Sequence, residues 1–418
     1  MNMHARFPRC VSTALLSFAG IFMFAPAVPA APRLIVRPPA AMGTHYPDTP
    51  ESLLAKVQEL FAAADAPDIA EPMAGCIASP GPYGLAGPVT AQAFKNIKPG
   101  QYDRVIILSA AHMADIENCS VEAVDAFVTP LGPVPLDEDA LRQILFSPLF
   151  TARSLYYQAK AQRAQVHEYE YGVEVLLPYL QERLHEFKLV PILVGRLNDA
   201  AGKFNPATVD AIAKVLRPIV TDRTLVVASS SFTSFGNDFS NRPFNDNIIA
   251  NIEHLDRQAF DCLMAMDVKC FTAYLDATKN VIDGRHPIEI LLKLMPPQAR
   301  ARILGYEVSA SKTGDLNRSV SYAAFTFHDP SRPPLDARPD KVRPLPLRPV
   351  PAAQGAEAAP AAKPPEAPAE NKAQPSEKQA APAEKTVNES AKRAGNSDAA
   401  KAPAEKKKKK RYSWKDNL

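Results

Sequence analysis

Six short apolar runs recur along the chain, at residues 74–79, 103–110, 188–195, 223–230, 302–309 and 319–327. Each is nearly continuous in character, as in DRVIILSA and RTLVVASS, rather than alternating apolar with polar. The spaces between them carry a period near 3.6, in PESLLAKVQELFAAA, VEVLLPYLQERL, ATVDAIAKVLRPIV and NIEHLDRQAFDCLMAM. Continuous apolar strands are buried on both faces, and their interleaving with helices predicts an α/β fold: a single sandwich domain over 40–328 with a mostly parallel central sheet. A further run, Ile288, Ile290, Leu291, Leu292 and Leu294, follows Asp283, Arg285 and His286. It predicts a buried helix with Pro287 in its first turn, where a missing N–H costs nothing.

The two ends fall outside this pattern. MNMHARFPRC carries Arg6 and Arg9 ahead of VSTALLSFAGIFMF and the small-residue stretch APAVPAAP. A basic start, an apolar run too short to span a bilayer comfortably and a small-x-small site at Val28 and Ala30 predict a cleavable signal peptide over 1–30. The expected location is periplasmic or secreted, in a bacterium. From 329 to 418 the chain turns to Pro, Ala, Lys and Glu with few branched apolar residues, which cannot bury enough surface to offset chain entropy. This predicts a disordered tail ending in the basic block Lys406–Arg411, suited to an anionic envelope surface.

Charge is partitioned the same way. The tail holds 19 Lys and Arg against 12 Asp and Glu, and the leader adds two arginines, so of the chain's net +3 the domain between carries −6. The basic balance therefore belongs to the tail, and no nucleic-acid partner is expected of the domain. Past the leader stand Cys76, Cys119, Cys262 and Cys270, which allow three full pairings that spacing does not rank. None lies in a C-x-x-C or C-x-x-H arrangement, which argues against structural zinc.

Ligands of open parallel sheets sit beyond the carboxyl ends of the strands, so the residues just after each run are the candidates. These segments are SPGPYGLAG, SAAHMAD and SSSFTSFGND, with Tyr83, His112, Ser231 and Ser234 among them. The helix entrance at Asp283 and His286 joins them. A serine nucleophile needs a base in reach and an acid behind it. The segment Ser229-Ser230-Ser231-Phe232, however, lacks the G-x-S-x-G elbow that raises a serine above such a sheet. In HEYEYGVEVLLPYL, Glu170 and Glu174 are four apart and suit the start of a helix, and His167 reads as solvated.

Six stretches in order, GPVTAQAFK (87–95), TPLGPVPLD (129–137), EVLLPYL (174–180), VPILVG (190–195), IEHLD (252–256) and GRHPIEILL (284–292), resemble the Memo family, also called AmmeMemoRadiSam system protein B. The resemblance runs from GTHYPDTPESLLAKVQELF at residue 43 to VSYAAFTF at 327. It implies the fold of class III extradiol dioxygenase catalytic subunits and a polar pocket of histidines and a cysteine. Most of that pocket is changed here. Where the family reads P-H-A-G-Y this chain has Ser79-Pro80-Gly81-Pro82-Tyr83, and E-H-S-x-E becomes Glu170-Tyr171-Gly172-Val173-Glu174. S-S-D-F-x-H becomes Ser229 to Ser234, and the cysteine before G-R-H-P-I becomes Asp283, while His112 is kept.

A ferrous site needs about three protein ligands. Of the matching positions only His112 and Asp283 offer a nitrogen and an oxygen, and proline at position 80 offers nothing. The expected function is thus a non-catalytic domain binding a small polar ligand or a protein, with no cofactor. The alternative is a metal-dependent, dioxygenase-like oxidoreductase holding Fe(II) or Zn through a rebuilt set around His112 and Asp283.

Overall fold

The computed structural model describes residues 34–152, 155–157, 163–199 and 201–342. The expected leader at 1–30 and the basic block Lys406–Arg411 lie outside the described residues. The chain enters through β1 (Val36–Arg37), helix α1 (Pro50–Ala63), β2 (Met73–Ala78), α2 (Gly87–Phe94) and β3 (Arg104–Ala110). A set of short elements follows: β4 (Cys119–Val121), β5 (Ala126–Thr129), β6 (Gly132–Pro135), α3 (Glu138–Ile144), β7 (Phe150–Ala152), β8 (Leu155–Tyr157) and β9 (Arg163–Gln165). Next come α4 (Leu177–Leu184), β10 (Lys188–Val194), α5 (Pro206–Leu216), β11 (Thr224–Ser229) and β12 (Ser234–Gly236). The last third holds α6 (Ile248–Met264), α7 (Val268–Thr278), α8 (Arg285–Leu294), β13 (Arg300–Val308), α9 (Ser309–Thr313) and β14 (Arg318–His328).

All six apolar runs are strands of one sheet, in the order β12-β14-β2-β11-β3-β10-β4-β7, with β13 on the free side of β14. Its middle four strands, β2, β11, β3 and β10, are parallel. Antiparallel pairings flank them, β14 against β2 on one side and β4 against β10 on the other. Every residue of β2 and β11 is buried, because helices cover both faces, and that is why these strands read as continuous rather than alternating. Side-chain oxygens cap four helices: Thr49 for α1, Asp137 for α3, Asn205 for α5 and Asp267 for α7, with proline opening α1 and α5.

The ordered domain is wider than 40–328. Ahead of residue 40, β1 pairs with β5 and the Arg37 side chain is 1% exposed. Past residue 328, the Asp329 N–H donates to Pro72 O at 2.9 Å, and Arg338 bonds Pro99 O through its backbone and Asp103 through its guanidinium, both at 2.8 Å. Composition marks 329–342 as solvated, but backbone groups and ion pairs on the domain supply its partners. A boundary at 328 is therefore too early.

Two of the four cysteines are bonded: Cys262 at the end of α6 joins Cys270 at the start of α7. Cys76 and Cys119 are free, buried thiols on β2 and β4. Three strands separate them in the sheet, a span of roughly 19 Å at the usual strand spacing, beyond the reach of a disulfide.

Candidate functional site

Because β2, β11 and β3 are adjacent and parallel, the segments that follow them emerge side by side at one edge of the sheet. His112 comes just after β3, Ser230 and Ser231 just after β11, and Ser79 just after β2, its hydroxyl donating to Ser230 O at 3.0 Å. Two other loops are laid across these strand ends, and each needs a glycine to come that close. At Gly172 a Cβ would sit 2.1 Å from Ser109 Oγ, and Ser229 Oγ donates to Gly172 O at 2.6 Å. At Gly284 a Cβ would sit 2.2 Å from Ser230 Cβ. These contacts bring Glu170 and Asp283, neighbours of the two glycines, to either side of His112.

The result is a carboxylate–imidazole–carboxylate row. His112 Nδ1 lies 3.1 Å from Glu170 Oε2 and Nε2 lies 3.3 Å from Asp283 Oδ2. Glu170 also accepts the Met113 N–H at 2.6 Å. Asp283 accepts from its own loop at Gly284 N, 2.7 Å, and from Ser230 Oγ, 3.2 Å. Burial opposes charge on the ring, but the hydrogen bonds and fields of Asp283 and Glu170 prevail and push His112 up to about 10. At neutral pH it is an imidazolium with both N–H groups spoken for. Glu170 is closed from solvent, whereas His112 and Asp283 keep 18% and 20% of their side chains exposed, so the row opens to solvent on the Asp283 side.

Aromatic rings extend this site. Tyr171 stands where the resemblance calls for a histidine, and stacks on His112 at 4.9 Å and on His45 at 4.7 Å. His45 then walls a cavity of about 370 Å³ shared with Tyr46 and Tyr83. A larger trough of about 900 Å³ lies at the opposite ends of the parallel strands, beside Arg104, Lys188 and Arg223.

Of the residues singled out from sequence, His112 and Asp283 meet, with Ser230 joining them. The others fall apart. Tyr83 is buried, donates its hydroxyl to Val175 O at 2.9 Å and lines the smaller cavity. Ser231 is buried in the turn and its carbonyl accepts from Ser230 Oγ. Ser234 belongs to β12, paired with Val320 of β14. His286 bonds Glu289 at 2.9 Å through Nδ1 and stacks on Phe204 at 5.0 Å, in a separate cluster with Arg285. The Ser230 hydroxyl is turned toward Asp283 and Ser231 O, so no serine–imidazole pair forms for a nucleophile.

Several residues behave differently from their sequence reading. The helix begins only after Glu170, so the two glutamates do not share a face. Glu170 serves His112, while the fully buried Glu174 holds Arg37, the Tyr46 hydroxyl and the amides of Ala40 and Ala41. His167 is 1% exposed, not solvated: burial beside Arg37 drives it down to about 3, and its backbone carbonyl accepts from Arg37 at 2.8 Å. Arg37 and His45 had no sequence signal beyond lying near GTHYPD, since His167 and Glu174, which hold Arg37, and Tyr171, which stacks on His45, are over a hundred residues away.

A metal of the dioxygenase kind fits this donor set poorly. It offers one imidazole and one accessible carboxylate, with Pro80 silent and both ring nitrogens already engaged. Among the described residues no group of three or more His, Cys, Asp or Glu is placed to hold a metal ion.

Comparison with known sequences adds the lineage. The family model described as Memo-like protein matches residues 37–326. Protein MEMO1 of Homo sapiens is 26% identical over 312 residues, covering 71% of this chain and 99% of its own. Protein MEMO1 of Danio rerio is 27% identical over 306 residues, 70% and 97% of the two chains. The Protein memo-1 homolog of Caenorhabditis elegans is 26% identical over 259 residues, 58% and 69%.

Proposed function

The chain belongs to the Memo-like protein family, and from that premise we propose that it is an exported member that binds a small polar ligand at the His112 row without metal-based catalysis. One observation carries this reading: both ring nitrogens of His112 bond carboxylates. A metal ligand must present an imidazole lone pair, and an imidazolium between two acids presents none. What the site offers is a partly exposed carboxylate, a charged ring and nearby hydroxyls. These recognise a polar molecule by hydrogen bonds. The Cys262–Cys270 bond supports export, because such bonds persist outside the reducing cytoplasm. The basic block Lys406–Arg411 is proposed to reach an anionic envelope surface, testable as salt-sensitive binding to anionic vesicles that is lost when residues 343–418 are removed.

Metal analysis after purification without chelators tests the central statement. The expected result is well below one iron, zinc or copper per chain and no oxygen uptake with catechol. A specific observation keeps the metalloenzyme reading in play: Glu170 holds Nδ1 as outer carboxylates hold metal-ligating histidines, leaving Nε2 and Asp283 as a facing pair. One tightly held iron, lost in both His112→Ala and Asp283→Ala, would replace our proposal with that reading.

A further inference from the structure

The loops that carry Ser230 and Asp283 run side by side beyond the end of β11. Ser230 Oγ accepts the Gly284 N–H at 3.2 Å, Thr233 and Ile282 form an antiparallel bridge, and the Ser234 N–H donates to Val281 O at 2.9 Å. This seam sets how far Asp283 reaches toward His112. Behind it, away from the row, lies a buried polar cluster centred on Asp256 of α6. We propose that Asp256 is a positioning residue for the His112 row: by holding Thr233 it keeps the two loops in register and Asp283 against the imidazole. The inference goes beyond the proposed ligand binding and does not depend on which ligand the row takes.

Asp256 is 0% exposed. Burial pushes its carboxyl up, opposed by the hydroxyls of Ser321, Thr233 and Tyr306 and by the Thr233 amide, with no cation among them. Oδ1 accepts the Thr233 N–H at 3.2 Å and the Thr233 hydroxyl at 2.6 Å, and Oδ2 accepts the Tyr306 hydroxyl at 2.6 Å. Having given its proton to Asp256, the Thr233 hydroxyl oxygen accepts from Asn280 Nδ2 at 2.7 Å, and the same amide group donates to Tyr274 at 2.8 Å. Thr233 follows Ser230 by three residues, and Asn280 precedes Asp283 by three. The chain Asp256–Thr233–Asn280 therefore crosses the seam. On the other side, Thr233 O accepts the Ser321 N–H at 3.0 Å, which ties the seam to β14. A buried polar group left without its partner costs more than the bond contributes, so this register resists sliding.

The role needs an acceptor at Oδ1, not a charge. Asparagine in place of Asp256 keeps that acceptor and can donate to the Tyr306 oxygen, so it should substitute, whereas alanine should not. Serine should likewise replace Thr233, and valine should not.

The full, metal-free chain would be studied by NMR as wild type, Asp256→Ala, Asp256→Asn, Thr233→Val and Thr233→Ser. Two quantities are read. One is the titration midpoint of the His112 ring. The other is amide exchange at Ser234 relative to Val227 in the middle of β11, which reports global opening. In Asp256→Ala and Thr233→Val we expect Ser234 exchange to quicken at least about tenfold more than Val227 exchange, the scale of one buried hydrogen bond. The proton affinity of His112 should fall at least about tenfold in both as Asp283 draws away. Asp256→Asn and Thr233→Ser should stay within about threefold of wild type on both readings. Should Asp256→Ala fail to fold, the Thr233 pair decides. Equal quickening at the two amides overturns the proposal, since Asp256 would then act on stability alone. With a high wild-type midpoint, a His112 ring unmoved by Thr233→Val overturns it as well. So does an asparagine variant as damaged as the alanine one, because charge and not hydrogen bonding would then be what matters. A wild-type ring titrating at its ordinary value would refute the charged row instead, and the exchange comparison would decide the seam by itself.

Discussion

Replacing His112 with glutamine removes the cation between Glu170 and Asp283 but keeps a polar side chain, and the cost should depend on pH in a definite direction. In the folded protein the ring is held up to about 10, against about 6.5 in an unfolded chain. The folded value is the higher one. The histidine's stabilising contribution is therefore complete below about pH 6.5, declines as pH rises and is gone above about 10. Each tenfold change in proton affinity is worth about 1.4 kcal/mol, so an unscreened ring would contribute about 5 kcal/mol. Water at Asp283, one-fifth exposed, and the mutual coupling of the three groups reduce this to about 2–3 kcal/mol. Urea unfolding of metal-free wild type and His112→Gln at pH 6, 8 and 10 measures it. Lysines, tyrosines and buried thiols titrate in both proteins and cancel in the difference. The wild-type advantage should be largest at pH 6 and should vanish near pH 10. An advantage that stays constant over this range, or a His112 ring resonance titrating at 6.5 or below, would refute the charged row.

Gly284→Ala puts a Cβ 2.2 Å from Ser230 Cβ and should cost about 1–3 kcal/mol. It should also drop the His112 titration toward its ordinary value by pushing Asp283 away, and NMR reads both effects against urea midpoints. Reducing Cys262–Cys270, which closes a loop with a sequence separation of 8, should lower stability by about 2–3 kcal/mol. Cys270→Ser should behave like the reduced protein and become insensitive to reductant; a reductant response that persists would implicate Cys76 or Cys119. Truncation after residue 328 should lower the melting temperature, because Asp329 and Arg338 lose their bonds to Pro72, Pro99 and Asp103. Truncation after residue 342 should leave it unchanged, and equal melting of the two truncations would return the boundary to 328.

The sheet, and the edge of it worth searching, are legible in the apolar runs alone. Its strands are buried on both faces, so their apolar character is continuous and needs no partner to be read. The parallel order then follows from their alternation with helices. The rule that ligands sit past the carboxyl ends of such strands picked out His112, and the helix entrance picked out Asp283. The short strands β4, β5, β6 and β12 are too brief to carry a period, and only their neighbours in the sheet hold them extended.

Partnership at a distance was decided by the tertiary structure alone. Glu170 and Glu174 look equivalent in HEYEYGVE, yet one serves His112 across 58 positions and the other serves Arg37 across 137. His167 and His286 are the same side chain in similar polar surroundings, but one is sealed beside Arg37 and the other lies on Phe204. Residues 329–342 have the composition of a solvated tail and are nonetheless bonded to the domain. Local sequence encodes what a residue type favours in its own few turns of chain. The charge state of His112 depends on two carboxylates brought in by Gly172 and Gly284 from remote loops, and on the exclusion of water around them. Neither exists until the chain has folded.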